Sequence, residues 1–157
     1  MKKKLYWEDV KVGSEIPPLP KVATRRMLVK WAGAIGDFNP LHYDDGFAAS
    51  QGVGKSIVHG QLKRAWLVQL ITDWIGEEGV LRKFSCQFRK TDYPRGMKTI
   101  IEPEDGETWW CKGRVIGKYI ADDEHRIECE VWVENDKNEK TTLGSAVVVL
   151  PHKLNNT

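Results

Sequence analysis

At 157 residues the chain suits one domain with a sizeable core, and 41% hydrophobic with 29% charged residues is ordinary for a globular protein. A net charge of +2 gives no argument for nucleic acid or a membrane surface, and no stretch reaches the roughly 18–20 apolar residues of a membrane span. The basic start, Met1-Lys2-Lys3-Lys4, has no apolar run behind it, so no secretory signal is expected. Cys86, Cys111 and Cys129 are widely spaced without zinc-ligand spacing, and they read as buried free thiols in a reducing cytoplasm.

In chain order, residues 1–22 read as an extended arm with turns at Val12-Gly13-Ser14 and Pro17-Pro18-Leu19-Pro20. A first helix is predicted from Thr24, which can cap it, with Leu28, Trp31 and Ile35 on one face and Gly36 as its stop. Asp37 to Tyr43 is a loop, because Pro40 has no N–H and drives Asn39 to an extended conformation. A short helix is expected near Asp45–Ala49, capped by Asp44 and Asp45. From about Val58 to Ile75 a long helix is apolar on most sides and reads as the centre of the domain. After Gly79 the period changes. Segments 81–90, 98–102, 108–119, 126–134 and 141–150 are strand-like, several alternating, with Asn135-Asp136-Lys137-Asn138 as a hairpin turn. Helices followed by antiparallel strands imply an α+β domain over 1–157, one long helix lying on a curved sheet.

The residues that carry chemistry lie between these elements. Asp37 and His42 stand either side of Asn39-Pro40, and Ile57-Val58-His59-Gly60 leads into the long helix. A carboxylate and an imidazole sharing one water suit hydration of a double bond beside a carbonyl: one group takes the water's proton and one returns a proton to carbon. Histidine suits the task because its ordinary pKa lies near working pH. Gly60, at the helix start, can offer an unpaired N–H to a carbonyl oxygen. Asn39 is expected to tie the loop, and His59 to hydrogen-bond the backbone nearby. Trp66 reads as core or as the wall of an acyl tunnel. Arg89 and Lys90 belong to a basic run over 82–98 in which Asp92 is the lone acid, and are candidates for binding an anionic carrier. No metal or cofactor is called for.

Gly36-Asp37-Phe38-Asn39-Pro40-Leu41-His42-Tyr43-Asp44, then Phe47-Ala48, then Ile57-Val58-His59-Gly60, resembles the hydratase motif of MaoC-like dehydratases, which include (R)-specific 2-enoyl-CoA hydratases. Trp7-Glu8-Asp9-Val10-Lys11-Val12-Gly13 and Phe84-Ser85-Cys86-Gln87-Phe88-Arg89-Lys90 extend the likeness. The resemblance implies a hotdog fold and reversible hydration of a trans-2-enoyl thioester, carried by coenzyme A or an acyl carrier protein. It also implies homodimers or heterodimers. Two alternatives stand beside it: a hotdog thioesterase, for which the long helix offers only Asp73, and an acyl-binding subunit that supports a catalytic partner. This chain departs from the family after Gly60, where Gln61, Lys63, Arg64 and Trp66 are large and polar or aromatic.

Overall fold

The computed structural model describes residues 4–153. Its sheet has five antiparallel strands: β1 (Glu15–Lys21), β2 (Val80–Phe88), β3 (Trp109–Ala121), β4 (Glu124–Glu134) and β5 (Lys140–Val149). They lie in the order β1-β3-β4-β5-β2. Three α-helices precede β2: α1 (Arg25–Ile35), α2 (Asp45–Ser50) and α3 (Gly60–Ile75).

Helix α3 crosses the sheet and touches all five strands. Its buried side chains include Leu62, Trp66, Leu67, Leu70, Ile71 and Ile75. Facing them, β4 presents the buried Ile127, Cys129, Val131 and Val133, alternating with the polar Glu128, Glu130 and Glu134. Full burial of a side chain such as Leu67 contributes roughly 1.5–3 kcal/mol, so this helix–sheet contact holds the domain together. Cys111 and Cys129 sit in the same core, and burial pushes both thiols up to about 12.

The expected caps are present. The Thr24 hydroxyl accepts from the Met27 N–H at 3.1 Å, and Gly36 closes α1 in the left-handed region at φ 72°. Asp44 caps α2 through the Phe47 N–H at 2.9 Å. Asp45 does other work: it accepts from the N–H and hydroxyl of the buried Ser56 and pairs with Arg25 at 2.7 Å. Those bonds tie the glycine-containing link 51–56 to α2 and fix where Ile57 begins.

Two expectations change. The arm is in part sheet, because β1 pairs with β3 along one edge, with its register shifting between Ile16 and Leu19. Pro17, Pro18 and Pro20 lie in that edge strand. Segment 98–102 is a turn rather than a strand. The Thr99 hydroxyl accepts from the N–H groups of Ile101 and Glu102, and the Lys98 N–H reaches the Glu102 carbonyl at 2.9 Å. A local side-chain cap outweighs the β-propensity of Ile100 and Ile101, which are left exposed. The whole stretch 89–108 is an excursion between β2 and β3, and its first residues return across the start of α3.

Candidate active site

Asp37, His42 and His59 meet at the first turn of α3. Gly36 turns the chain out of α1, and the Asp37 carboxylate accepts from the Asn39 N–H at 3.3 Å through Oδ1. Asn39 accepts from the Leu41 N–H at 3.0 Å, capping the short 3₁₀ turn Pro40–His42. Proline suits the first position of such a turn, whose N–H would have no partner. The turn delivers His42 beneath the segment 57–58, which is held in place by the Ile57 N–H donating to the Leu41 carbonyl at 3.0 Å.

His42 has a fixed proton arrangement. Its Nδ1 lies 2.8 Å from the Ile57 carbonyl. A carbonyl only accepts, so Nδ1 carries the hydrogen, and in the neutral ring Nε2 is left with its lone pair. That Nε2 lies 4.0 Å from Asp37 Oδ2. The gap is too long for a direct hydrogen bond and of the length that one bridging water spans. The Asp37 side chain is 38% exposed and that of His42 is 11% exposed, so the gap is open to solvent on the carboxylate side.

His59 lies behind this pair. Its ring stacks on that of His42 with centroids 3.6 Å apart and planes 18° apart. Nε2 lies 3.4 Å from the Asp37 carbonyl, a backbone contact to the loop rather than to the helix start. Nδ1 is buried and has no partner among the described residues. Burial first, and the neighbouring His42 second, hold the His59 imidazole below its ordinary pKa, so the ring is kept neutral. Asp37, His42 and His59 each offer one atom within 4.8 Å of the others, as metal ligands would. Imidazole lone pairs lie in the ring plane, however, and two stacked rings cannot both aim theirs at one ion. The arrangement fits a shared water better than a metal.

Gly60 is the first residue of α3, and its N–H has no acceptor among the described residues. A Cβ at this position would stand 2.8 Å from the Phe88 ring, which gives the glycine its physical reason. Gly60 and His42 line one pocket of about 290 Å³ together with Ile57, Lys63, Phe88 and Lys90. Arg89 also lines it, and its guanidinium donates to the Gln87 side chain. Lys90 pairs with Glu139 at 2.6 Å. The rest of the basic run is dispersed: Arg82 pairs with Glu124, and Lys98 pairs with Asp105 at 3.1 Å.

Asn39 is spent on the turn. Trp66 is 4% exposed, packs against Trp109 with ring centroids 6.1 Å apart, and lies in the core rather than on this pocket. Sequence reasoning did not single out Phe88, or the pairing of Lys63 with Asp92. The usable signals were a lysine three residues after Gly60, on the same helix face, and one acid inside a basic run.

A five-stranded antiparallel sheet laid against one long helix, with a polar pair and a free amide at that helix's first turn, defines a hotdog domain. The model of the MaoC like domain matches residues 11–109, and the chain belongs to that family. No curated protein matches the sequence. Among solved structures, the R-hydratase PhaJ1 from Pseudomonas aeruginosa superposes with a TM-score of 0.78 at 20% identity, over 96% of this chain and 88% of that one. The (R)-hydratase from A. caviae involved in PHA biosynthesis gives 0.75 at 23% identity, over 92% and 99%. The ChsH1-ChsH2 complex from Mycobacterium tuberculosis gives 0.72 at 19% identity, over 89% and 98%. At these identities the likeness is one of fold. Among the described residues no helix is long and apolar enough to cross a membrane.

Proposed function

We propose that the protein reversibly adds water across the double bond of a trans-2-enoyl thioester, giving a 3-hydroxyacyl thioester. One observation carries the reading. His42 Nε2, its lone pair freed by the Ile57 bond, faces Asp37 Oδ2 across 4.0 Å, and His42 itself lines one pocket with Gly60, whose amide is unpaired among the described residues.

The chemistry balances on these groups. A water held between Asp37 and His42 loses a proton to one of them as its oxygen bonds to C3. The π electrons move toward the carbonyl, and the oxygen's growing charge is met by the Gly60 N–H at the positive end of α3. The enolate then takes a proton at C2 from the pair, and the site returns to its starting state. General acid and base catalysis of this kind contributes roughly 10²–10⁴-fold, and one oxyanion donor about 2.7–4 kcal/mol.

The carrier in this reading is coenzyme A or an acyl carrier protein, whose phosphates meet Arg89 and Lys90 at the pocket wall. A second copy of the chain is the expected partner, paired along the outer edge of β2, where Val80 and Phe88 are exposed. The reaction needs no cofactor, and its setting is the cytoplasm. The thioesterase alternative is weakened by Asp73. It borders a separate groove with Pro17 and Trp74, thirteen residues beyond Gly60, roughly 20 Å along the helix axis.

The test is loss of enoyl-thioester absorbance with crotonyl-CoA and longer enoyl-CoAs, for wild type, Asp37→Asn and His42→Ala, with free thiol measured in parallel. Hydration by wild type alone supports the reading. Equal rates in all three, or thiol release in place of hydration, removes it.

A further inference from the structure

Lys63 and Asp92 form an ion pair at 2.6 Å with both side chains only 2% exposed. The Lys63 ammonium also donates to the Lys90 carbonyl at 2.9 Å. Neither residue enters the water-activating arrangement, and neither is explained by stability. Two charges taken out of water cost about as much as their attraction returns, and an apolar pair of similar volume holds a core equally well. The location adds to the cost, since Lys63 is the fourth residue of α3, close to the positive end of the helix dipole, where a cation is disfavoured.

What the pair does have is direction. Asp92 is a hub: its carboxylate holds Lys63, and its carbonyl accepts from the Val58 N–H at 2.8 Å. Val58 follows Ile57, whose carbonyl sets the proton position on His42. Lys63 in turn lies one helical turn beyond Gly60 and borders the same pocket. An unbroken path therefore runs from the Gly60 amide through Lys63, Asp92 and the 57–58 segment to the imidazole. It joins the helix that holds the oxyanion donor to the 57–58 link that orients the base.

We infer that Lys63 and Asp92 are positioning residues that hold the Gly60 amide and the His42 imidazole at a fixed separation. This rests on the hydratase reading above for its kinetic consequence, though not for its structural one. Displacement of reacting groups by about 1 Å costs on the order of 10²-fold in rate, which sets the size of effect to look for.

The experiment uses Lys63→Met/Asp92→Leu, with Lys63→Gln/Asp92→Asn as a second variant that also removes both charges while keeping polar side chains of similar shape, should the first not fold. Crotonyl-CoA kinetics and thermal melts are read beside the ¹⁵N NMR signals of the His42 ring. The expected result is a variant that melts like wild type and loses about 10- to 100-fold in kcat with KM within about threefold. The His42 ring should lose its single Nδ1–H tautomer. Wild-type kcat with an unchanged His42 spectrum overturns the proposal. So does a raised KM with intact kcat, which would make Lys63 a substrate contact. If wild type hydrates no enoyl-CoA, the hydratase reading fails by itself, and the His42 tautomer still decides the positioning role.

Discussion

Two polar pairs stand on either side of the Ile57–Val58 segment, and they are built in opposite ways. Lys63 and Asp92 are closed at 2.6 Å and sealed, whereas Asp37 and His42 stand 4.0 Å apart and partly open. The closed pair has its charges answered by each other, and the Lys63 ammonium also donates to the Lys90 carbonyl. The open pair keeps room for a third molecule, and its histidine has one nitrogen committed and one free. On the proposed reading, separation and burial, more than residue type, divide a strut from a reaction centre.

The largest effect should come from the open pair. Asp37→Asn and His42→Ala are each expected to lose roughly 10²–10⁴-fold in kcat/KM while melting within a few degrees of wild type. A change on that scale in melting temperature rather than in rate would move the pair to the structural side of the comparison. Next, Gly60→Ala forces a methyl into the Phe88 ring at 2.8 Å. It should cost about 10²-fold in rate, and Gly60→Ala/Phe88→Ala should regain much of it. Full activity in the single variant would show that the ring yields freely.

A third effect is pH-dependent. Burial holds His59 below its ordinary value of 6.5. Between the two values the unfolded chain binds the proton and the folded chain does not, so stability rises with pH there. The contribution is complete above about pH 6.5 and falls as the pH drops through it. Urea unfolding between about pH 5 and 8 should show this acid limb, flattened in His59→Gln. An identical slope in that variant would assign the limb to another group. The smallest effect belongs to the pocket wall, where Arg89→Glu/Lys90→Glu should raise KM several-fold with kcat nearly unchanged. An unchanged KM would show that these two cations are solvated surface.

Most of the fold was legible because it rests on local rules. The Thr24 and Gly36 limits of α1, the apolar face of α3 and the alternation of β4 follow from capping and period. The turn at 98–102 was misread since β-branched isoleucines carry strand propensity, while one threonine hydroxyl decided the backbone. At the candidate site, spacing around a proline and a helix start singles out Asp37, His42 and Gly60, and the structure brings these residues together near the first turn of α3. The Lys63–Asp92 pair joins residues 29 apart in sequence, and only the packing of segment 89–92 over α3 brings them together. The same applies to Trp66, whose place against Trp109 depends on how the helix rotates on the sheet.

The three prolines of β1 have a consequence for assembly. A strand lacking those N–H groups makes a poor template for another chain, so the sheet's two borders are unequal. If copies join through the opposite border, as proposed, the proline-bearing edge offers a third copy little strand template. Growth by strand pairing alone would then stop at a two-fold pair instead of running on into a filament.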